Sequence, residues 1–187
     1  MLKKYRKNIY CLESLWNDDV EMKLSVLPAL ELAARLNSIS YLHLTCNTIP
    51  ELAHNLRRLR KRRAYGILYF AFHGQSGRIL LDDKSRVTLE ELAEMMGNRF
   101  HNWTVHFGSC SVLKARDADL QNFVEQTGVG LLTGYGKVME WGESTALDIL
   151  YFCLLQKYKN TKHFWNFFQK TYPDLIKSTD FRAFIKR

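Results

Sequence analysis

Short apolar runs rich in strand-forming residues alternate along the chain with longer amphipathic stretches. Each short run is apolar at successive positions, which is typical of a strand with both faces buried. The runs that predict strands are Asn8–Leu12, Ser40–Cys46, Tyr65–Phe72, Trp103–Phe107 and Gly130–Thr133. The stretches that predict helices are Asp18–Asn37, Pro50–Arg62, Leu89–Met96, Ala118–Gln126, Ser144–Tyr158 and a tail over Lys162–Lys186 broken at Pro173.

Two local signals refine this order of elements. The segment Arg78–Val87 predicts a β-hairpin, and Thr88 with Glu91 forms the capping-box pattern that starts a helix. Strands that alternate with helices build a mostly parallel sheet covered by helices on both faces. The sequence therefore predicts an α/β fold, a three-layer sandwich with a mostly parallel central sheet flanked by helices, in a single domain over residues 1–187.

Much of the positive charge is concentrated in two basic clusters. The 187 residues include 27 Lys and Arg against 19 Asp and Glu, a formal net charge of +8. Ten of the basic residues lie within residues 3–7 and Arg57–Arg63, and the other 17 nearly balance the acidic residues. The Arg57–Arg63 cluster is a candidate nucleic-acid contact, although a solvated basic face is the more ordinary interpretation.

The cysteines and the apolar runs indicate the compartment. Cys11, Cys46, Cys110 and Cys153 form no CxxC pair, and their spacing fits neither a zinc site nor a disulfide scaffold. The apolar run after the basic N-terminus ends at Glu13 and is too short for a signal peptide. No run reaches the length that spans a bilayer. We therefore expect a cytoplasmic protein with reduced thiols, no metal or organic cofactor, and no membrane partner.

A histidine and a cysteine follow two of the predicted strands. Functional groups of parallel sheets gather at the carboxyl ends of the strands. His73 ends the strand Tyr65–Phe72, and Cys110 follows the strand Trp103–Phe107 after a turn of small residues. Their 37-residue separation fits a strand, hairpin, helix and strand, as a right-handed crossover needs. If the two strands are neighbours, the imidazole and the thiol meet at one edge of the sheet.

This pair has the properties of a thiol nucleophile and its proton-transfer partner. A cysteine nucleophile needs a route to the thiolate, a nearby imidazole and donors for the oxyanion. Gly74 lets the backbone bend close to a substrate, and the small residues around Cys110 expose its N–H and leave room for a peptide carbonyl. The sequence predicts Cys110 and His73 as catalytic residues, with a small core cysteine as the ordinary alternative.

Three segments resemble the caspase-like cysteine peptidases, especially bacterial caspase-like domains of the CHAT group. They are YFAFHG at Tyr69–Gly74, VHFGSCS at Val105–Ser111, and the helix, apolar strand and helix pattern over Asp119–Leu155. The resemblance implies a caspase-like fold and a dyad in which Cys110 is the nucleophile and His73 the general acid and base. It also implies an oxyanion hole from the N–H groups of Gly74 and Cys110, a protein or peptide substrate, a regulatory protein partner, and a role in bacterial stress or antiviral defence.

The resemblance implies a substrate pocket built from loops at the strand ends. Here these loops carry more carboxylates than bases, which favours a basic or mixed side chain in the pocket. The predicted substrate-binding residues are Glu13, Asp18, Asp19, Asp117, Trp141 and Glu143. Asp18 and Asp19 also suit helix capping, and Glu143 suits the start of a helix. Trp141 either walls the pocket or packs in the interior, and the sequence leaves these alternatives open.

The first hypothesis is a cysteine endopeptidase, and two other classes of protein remain as alternatives. One is a catalytically inactive caspase-like scaffold or adaptor, which the presence of both dyad residues disfavours. The other is a basic nucleic-acid-binding α/β module that uses Arg57–Arg63. The chain has no P-loop, G-x-G-x-x-G or RNA-binding aromatic signature, which disfavours that module. The remaining cysteines, His43 and His106 are predicted to be core residues.

Overall fold

Strands and helices alternate along the chain in the computed structural model, which describes residues 5–17, 21, 24–59 and 64–186. The strands within these residues are β1 (Asn8–Glu13), β2 (Tyr41–Thr45), β3 (Tyr65–Ala71), β4 (His73–Gln75), β5 (Arg78–Leu80), β6 (Arg86–Thr88), β7 (Thr104–Phe107), β8 (Leu131–Tyr135) and β9 (Phe181–Ile185). The α-helices are α1 (Leu27–Asn37), α2 (Ile49–Leu59), α3 (Leu89–Met96), α4 (Asp117–Thr127), α5 (Trp141–Leu155), α6 (Thr161–Thr171) and α7 (Pro173–Thr179).

Six strands form the central sheet in the order β2-β1-β3-β7-β8-β9. The first five are parallel to one another, and β9 runs antiparallel to β8. Strands β4, β5 and β6 form a separate antiparallel sheet beside it. The predicted mostly parallel central sheet is therefore confirmed.

Strand β3 shows why helices cover both faces of this sheet. Leu68 and Phe70 are fully buried in a core with α2, α3 and α4. Ile67, Tyr69 and Ala71 are buried in a second core with α1, α5 and α6. Because successive side chains of a strand point to opposite faces, a run that is apolar throughout needs a helix layer on each side. The predicted three-layer sandwich is confirmed.

The local signals around α3 are also confirmed. Within the predicted hairpin Arg78–Val87, β5 pairs antiparallel with β6. The Thr88 hydroxyl accepts a hydrogen bond from the Glu91 N–H at 3.2 Å, and the Glu91 carboxylate accepts one from the Thr88 N–H at 2.8 Å. This reciprocal pair is the capping box that starts α3.

The predicted helix over Asp18–Asn37 is wrong at its start, because α1 begins at Leu27. Pro28 lies in the first turn of α1, where the missing N–H of a proline costs no helical hydrogen bond. The Val26 N–H donates instead to the Glu13 carboxylate at 2.7 Å, which holds the preceding segment as a loop. Apart from residue 21, the part of the prediction before residue 24 lies outside the described residues.

The predicted helical tail over Lys162–Lys186 is wrong at its end. Helices α6 and α7 form with their break before Pro173, but Phe181–Ile185 is the strand β9. Asp180 ends α7 in the left-handed region with a φ of 46°, and the chain then pairs with β8. The hydrogen-bonding partner of β9 lies about 50 residues earlier in the chain. Local periodicity in the tail does not contain that pairing.

Candidate active site

His73 and Cys110 lie at the same edge of the central sheet. Strands β3 and β7 are adjacent and parallel, with Phe70 opposite Phe107 near their carboxyl ends. His73 begins β4 directly after the single residue that follows β3, and Cys110 comes three residues after β7. The two segments therefore leave neighbouring strands at the carboxyl edge, as their spacing in the sequence predicts.

Hydrogen bonds join residues 108–111, which we call the Cys110 segment, to the end of β3. The Gly108 N–H donates to the Phe70 carbonyl at 3.0 Å. The Phe72 N–H donates to the Ser109 hydroxyl oxygen at 3.2 Å, and that hydroxyl lies 3.4 Å from the Phe70 carbonyl oxygen, to which it donates. Ser109 is fully buried, so its hydroxyl is an internal bridge between the two segments. The sequence indicated Ser109 only as a small neighbour of the thiol.

Gly74 brings the backbone after His73 against the backbone of Cys110. A Cβ atom built on Gly74 would lie 2.3 Å from the Cys110 carbonyl oxygen and 2.9 Å from Ser109 Cβ. The φ of Gly74 is not in the left-handed region, so close approach, rather than backbone conformation, requires the glycine here. The two segments are in van der Waals contact, with no room for a side chain between them.

The two N–H groups predicted for the oxyanion hole are not used by the sheets. Among the described residues, the Cys110 N–H donates no hydrogen bond. The Leu81 N–H donates to the Ser85 carbonyl. Because the N–H and C=O groups of successive residues in a strand point to opposite sides, those of Ile79, two residues earlier, also point toward β6. Gly74 is the partner of Ile79 on β4, so the Gly74 N–H points away from β5.

The Cys110 thiol is held by the loop between β8 and α5, which we call the Met139 loop (residues 136–140). The Met139 N–H donates to Cys110 Sγ at 3.4 Å, and the thiol lies 3.6 Å from the Met139 carbonyl oxygen, which accepts its hydrogen. The Ser111 N–H also donates to the Lys137 carbonyl at 3.0 Å. Backbone groups of the Met139 loop therefore partly cover the thiol, which is half-buried.

His73 is exposed and is held through its Nε2 atom. That atom lies 2.6 Å from the Trp16 carbonyl oxygen, and the imidazole meets the Trp16 indole edge-to-face with centroids 5.2 Å apart. Because a carbonyl oxygen only accepts, Nε2 carries a hydrogen and Nδ1 is the nitrogen that can gain or lose a proton. Trp16 also packs edge-to-face on Trp141, with centroids 4.6 Å apart.

No hydrogen bond joins Cys110 to His73 within residues 64–186, all of which the structure describes. Each side chain is bonded to the backbone of a flanking loop instead, the thiol to Met139 and the imidazole to Trp16. The predicted meeting of the imidazole and the thiol therefore stays a prediction.

The chain matches a known protein family. One family model matches residues 6–185, which include both His73 and Cys110. The chain belongs to the family of unknown function DUF6642. No curated protein matches it.

In this DUF6642 protein, Glu13 fixes the loop that carries Trp16. Its carboxylate is buried at the end of β1 and accepts hydrogen bonds from Trp16 Nε1 at 2.6 Å and the Val26 N–H at 2.7 Å. Its other oxygen accepts from Ser25 Oγ at 2.6 Å and lies 2.5 Å from His43 Nε2. Burial alone would raise the pKa of Glu13, but the four hydrogen bonds together lower it. Both oxygens are thus engaged within the protein, which favours a positioning role over substrate contact.

The other predicted substrate residues that the structure describes do not gather at one place. Asp117 is exposed at the start of α4 and forms an ion pair with an arginine of β9. Glu143 is exposed in the first turn of α5. Trp141 begins α5 and packs on Trp16, the indole that contacts His73. Asp18 and Asp19 lie outside the described residues.

Three observations bear on cofactors and partners. The described residues contain no group of three or more His, Cys, Asp and Glu side chains that could hold a metal ion. No helix in this part of the chain combines the length and apolar character needed to cross a bilayer. In the predicted nucleic-acid contact, Arg57 and Arg58 are exposed in the last turn of α2, whereas residues 60–63 lie outside the described residues.

The predicted core residues differ in how deeply they are buried. Cys11 and Cys46 are fully buried, and burial raises the pKa of the Cys46 thiol to about 11. Cys153 is only half-buried. His106 is fully buried and bonded through both ring nitrogens. His43 is half-buried at the edge strand β2. The prediction of core positions is therefore confirmed for Cys11, Cys46 and His106.

Asp148 is not among the residues predicted from the sequence, although it lies at the centre of a buried polar network. It is 3% exposed and accepts a hydrogen bond from His106 Nε2 at 2.8 Å, while His106 Nδ1 lies 2.9 Å from the Thr133 hydroxyl. This carboxylate, imidazole and hydroxyl series is buried, so it is closed to substrate. The available signal was one carboxylate in the apolar stretch TALDILYFCLL of α5.

Proposed function

We propose that the protein is a cysteine endopeptidase in which Cys110 attacks a peptide carbonyl and His73 transfers the protons. The observation that carries the proposal is the contact between the Gly74 and Cys110 backbones at the carboxyl edge of two adjacent parallel strands. It supports a site where an imidazole, a thiol and two unused N–H groups serve one reacting carbonyl. The resemblance to caspase-like peptidases points to the same two residues.

The reaction needs only groups that this edge supplies. The Cys110 thiol gives its proton to His73 Nδ1, and the resulting thiolate adds to the carbonyl carbon. The C=O electron pair moves to the oxygen, which accepts hydrogen bonds from the Gly74 and Cys110 N–H groups. The C–N bond then breaks, and the leaving amine takes a proton from His73 Nδ1. Water next attacks the thioester as it gives a proton to His73 Nδ1. The C–S bond breaks with its electron pair on sulfur, which releases the new carboxylic acid, and the thiolate takes the proton back from His73 Nδ1.

Substrate entry must release the thiol from the Met139 loop. In this structure the Met139 N–H and carbonyl are hydrogen-bonded to the Cys110 thiol, and the Trp16 carbonyl accepts a hydrogen bond from His73 Nε2. The bond to Trp16 suits catalysis, because it steadies the imidazole while leaving Nδ1 available for proton transfer. Of the predicted pocket residues, we retain Trp141 as the substrate neighbour, since it stands next to the tryptophan that contacts His73.

Cleavage of internally quenched peptides randomised at the position before the scissile bond tests this proposal. Cys110→Ala is expected to abolish turnover, and His73→Ala to lower it by about 10² or more. The matched controls are Cys153→Ala, which alters the other half-buried cysteine, and His163→Ala, which alters an exposed histidine of α6. Turnover that survives Cys110→Ala would overturn the proposal.

One observation favours a second candidate, a catalytically inactive scaffold. The thiol is bonded to the Met139 backbone and makes no hydrogen bond to His73, which is compatible with a closed and unreactive site. A scaffold would bind its protein partner equally well with Cys110→Ala and would cleave no peptide in either form.

We also propose a cytoplasmic location, in keeping with four free cysteines that form no disulfide. The role in bacterial stress or antiviral defence is supported only by the resemblance to caspase-like peptidases.

A further inference from the structure

Six buried polar side chains form a network directly beneath the dyad. We call it the Asp148 cluster, and it consists of Tyr69, His106, Thr133, Tyr135, Asp148 and Tyr151. The Asp148 carboxylate accepts hydrogen bonds from the Tyr69 hydroxyl at 2.5 Å and the Tyr135 hydroxyl at 2.6 Å, in addition to the one from His106. A buried carboxylate is costly unless its oxygens are bonded, and here both oxygens are.

The cluster joins the elements that carry the dyad. Tyr69, His106 and Thr133 lie opposite one another in a row across β3, β7 and β8. Tyr69 comes four residues before His73, and His106 comes four residues before Cys110. Asp148 lies on α5, so its hydrogen bonds connect this helix to all three strands just below their carboxyl ends.

Three paths lead from Asp148 to the reacting groups. First, Tyr69 packs closely against Gly108 of the Cys110 segment, because a Cβ built on Gly108 would lie 2.6 Å from Tyr69 Cε2. Second, Tyr135 ends β8 immediately before the Met139 loop, which holds the thiol. Third, α5 itself begins at Trp141, which packs on the tryptophan bonded to His73.

We propose that Asp148 is a positioning residue for Cys110 and His73. The inference deepens the proposed peptidase site and rests on it for its catalytic part. Asp148 touches neither the substrate nor the reacting atoms. Its carboxylate binds one hydroxyl from β3 and one from β8. These bonds fix the positions of the Cys110 segment, the Met139 loop and the start of α5 relative to one another.

The test compares Asp148→Asn with Gln156→Leu, at the residue that caps the carboxyl end of the same helix. Gln156 is fully buried and bonds to the Lys7 backbone at the far end of α5, so its loss removes buried hydrogen bonds away from the dyad. Tyr135→Phe removes a single hydroxyl from the cluster and serves if Asp148→Asn does not fold. The probe is iodoacetamide, with alkylation of Cys110 and Cys153 followed separately by mass spectrometry.

We expect Asp148→Asn and Tyr135→Phe to speed alkylation of Cys110 selectively, because the Met139 loop loosens its hold on the thiol. Turnover should fall by about 10² through a lower kcat with KM unchanged, since misplacement of reacting groups by about 1 Å costs that much. Gln156→Leu should change neither quantity. Equal acceleration at both cysteines, or none at Cys110, would overturn the positioning role. If the wild type cleaves no peptide, the endopeptidase proposal fails, and the ratio of the two alkylation rates still decides the role of Asp148.

Discussion

Gly74→Ala is the substitution that most sharply perturbs the contact between the two proposed catalytic segments. The added Cβ would lie 2.3 Å from the Cys110 carbonyl oxygen and 2.6 Å from Val112 Cγ2. The backbone of Gly74 is compatible with alanine, because its φ is outside the left-handed region. All of the predicted effect therefore comes from the lack of space.

The size of the effect follows from these distances. Carbon and oxygen atoms in contact are normally at least about 3.3 Å apart, so the Cys110 carbonyl must move by about 1 Å. A backbone carbonyl cannot rotate away as a long side chain can. Overpacking of this kind costs about 1–3 kcal/mol of stability. The same shift moves the nucleophile, and we expect a loss of turnover of about 10².

The assay measures stability by urea unfolding and peptide turnover at a urea concentration where the variant is fully folded. Gly142→Ala is the matched control, because a Cβ at Gly142 on α5 would meet no atom within 4 Å. Alanine favours a helix over glycine, so this control should be stabilised by about 0.5–1 kcal/mol. Wild-type stability and turnover in Gly74→Ala would refute the close contact.

Three further outcomes follow from the buried polar groups. Ser109→Ala should cost about 1–2 kcal/mol in urea unfolding because the Phe72 N–H loses its acceptor; an unchanged midpoint would contradict the bridge. The stabilisation from Glu13 is present above its ordinary pKa and disappears as pH falls through its lowered pKa, so Glu13→Gln should approach wild-type stability in an acid titration; a constant gap counts against this. The neutral Cys46 thiol stabilises the fold below pH 9.0, and this contribution should decline as pH rises toward about 11. Cys46→Ala should lack that alkaline decline, and an identical alkaline profile would contradict the assignment.

The layers of the fold follow from local pattern to a large extent. A run such as Ile67–Phe72, apolar at every position, requires cover on both faces, and this is enough to predict a parallel sheet between helices. Strand β9 could not be predicted from local pattern, because its partner β8 is far away in the chain. The start of α1 could not be predicted locally either, because the Val26 N–H donates to the distant Glu13 carboxylate instead of joining a helix.

The chemistry of the site divides in the same way. His73 and Cys110 stand out in the sequence because each follows an apolar strand with small residues beside it. The contributions of Ser109, Trp16 and Asp148 depend on which strands and loops become neighbours. Glu13 shows the converse case, since a carboxylate placed by sequence at a substrate pocket is consumed by four donors from its own protein.

The most direct test of the proposed Cys110 and His73 site is intact-mass measurement after incubation with a peptide that carries a cysteine-directed electrophile. We expect one adduct per chain, located on Cys110 by peptide mapping and suppressed by His73→Ala, while Cys153→Ala labels normally. An adduct on Cys153 instead of Cys110, or labelling that ignores the loss of His73, would contradict a thiol and imidazole acting together.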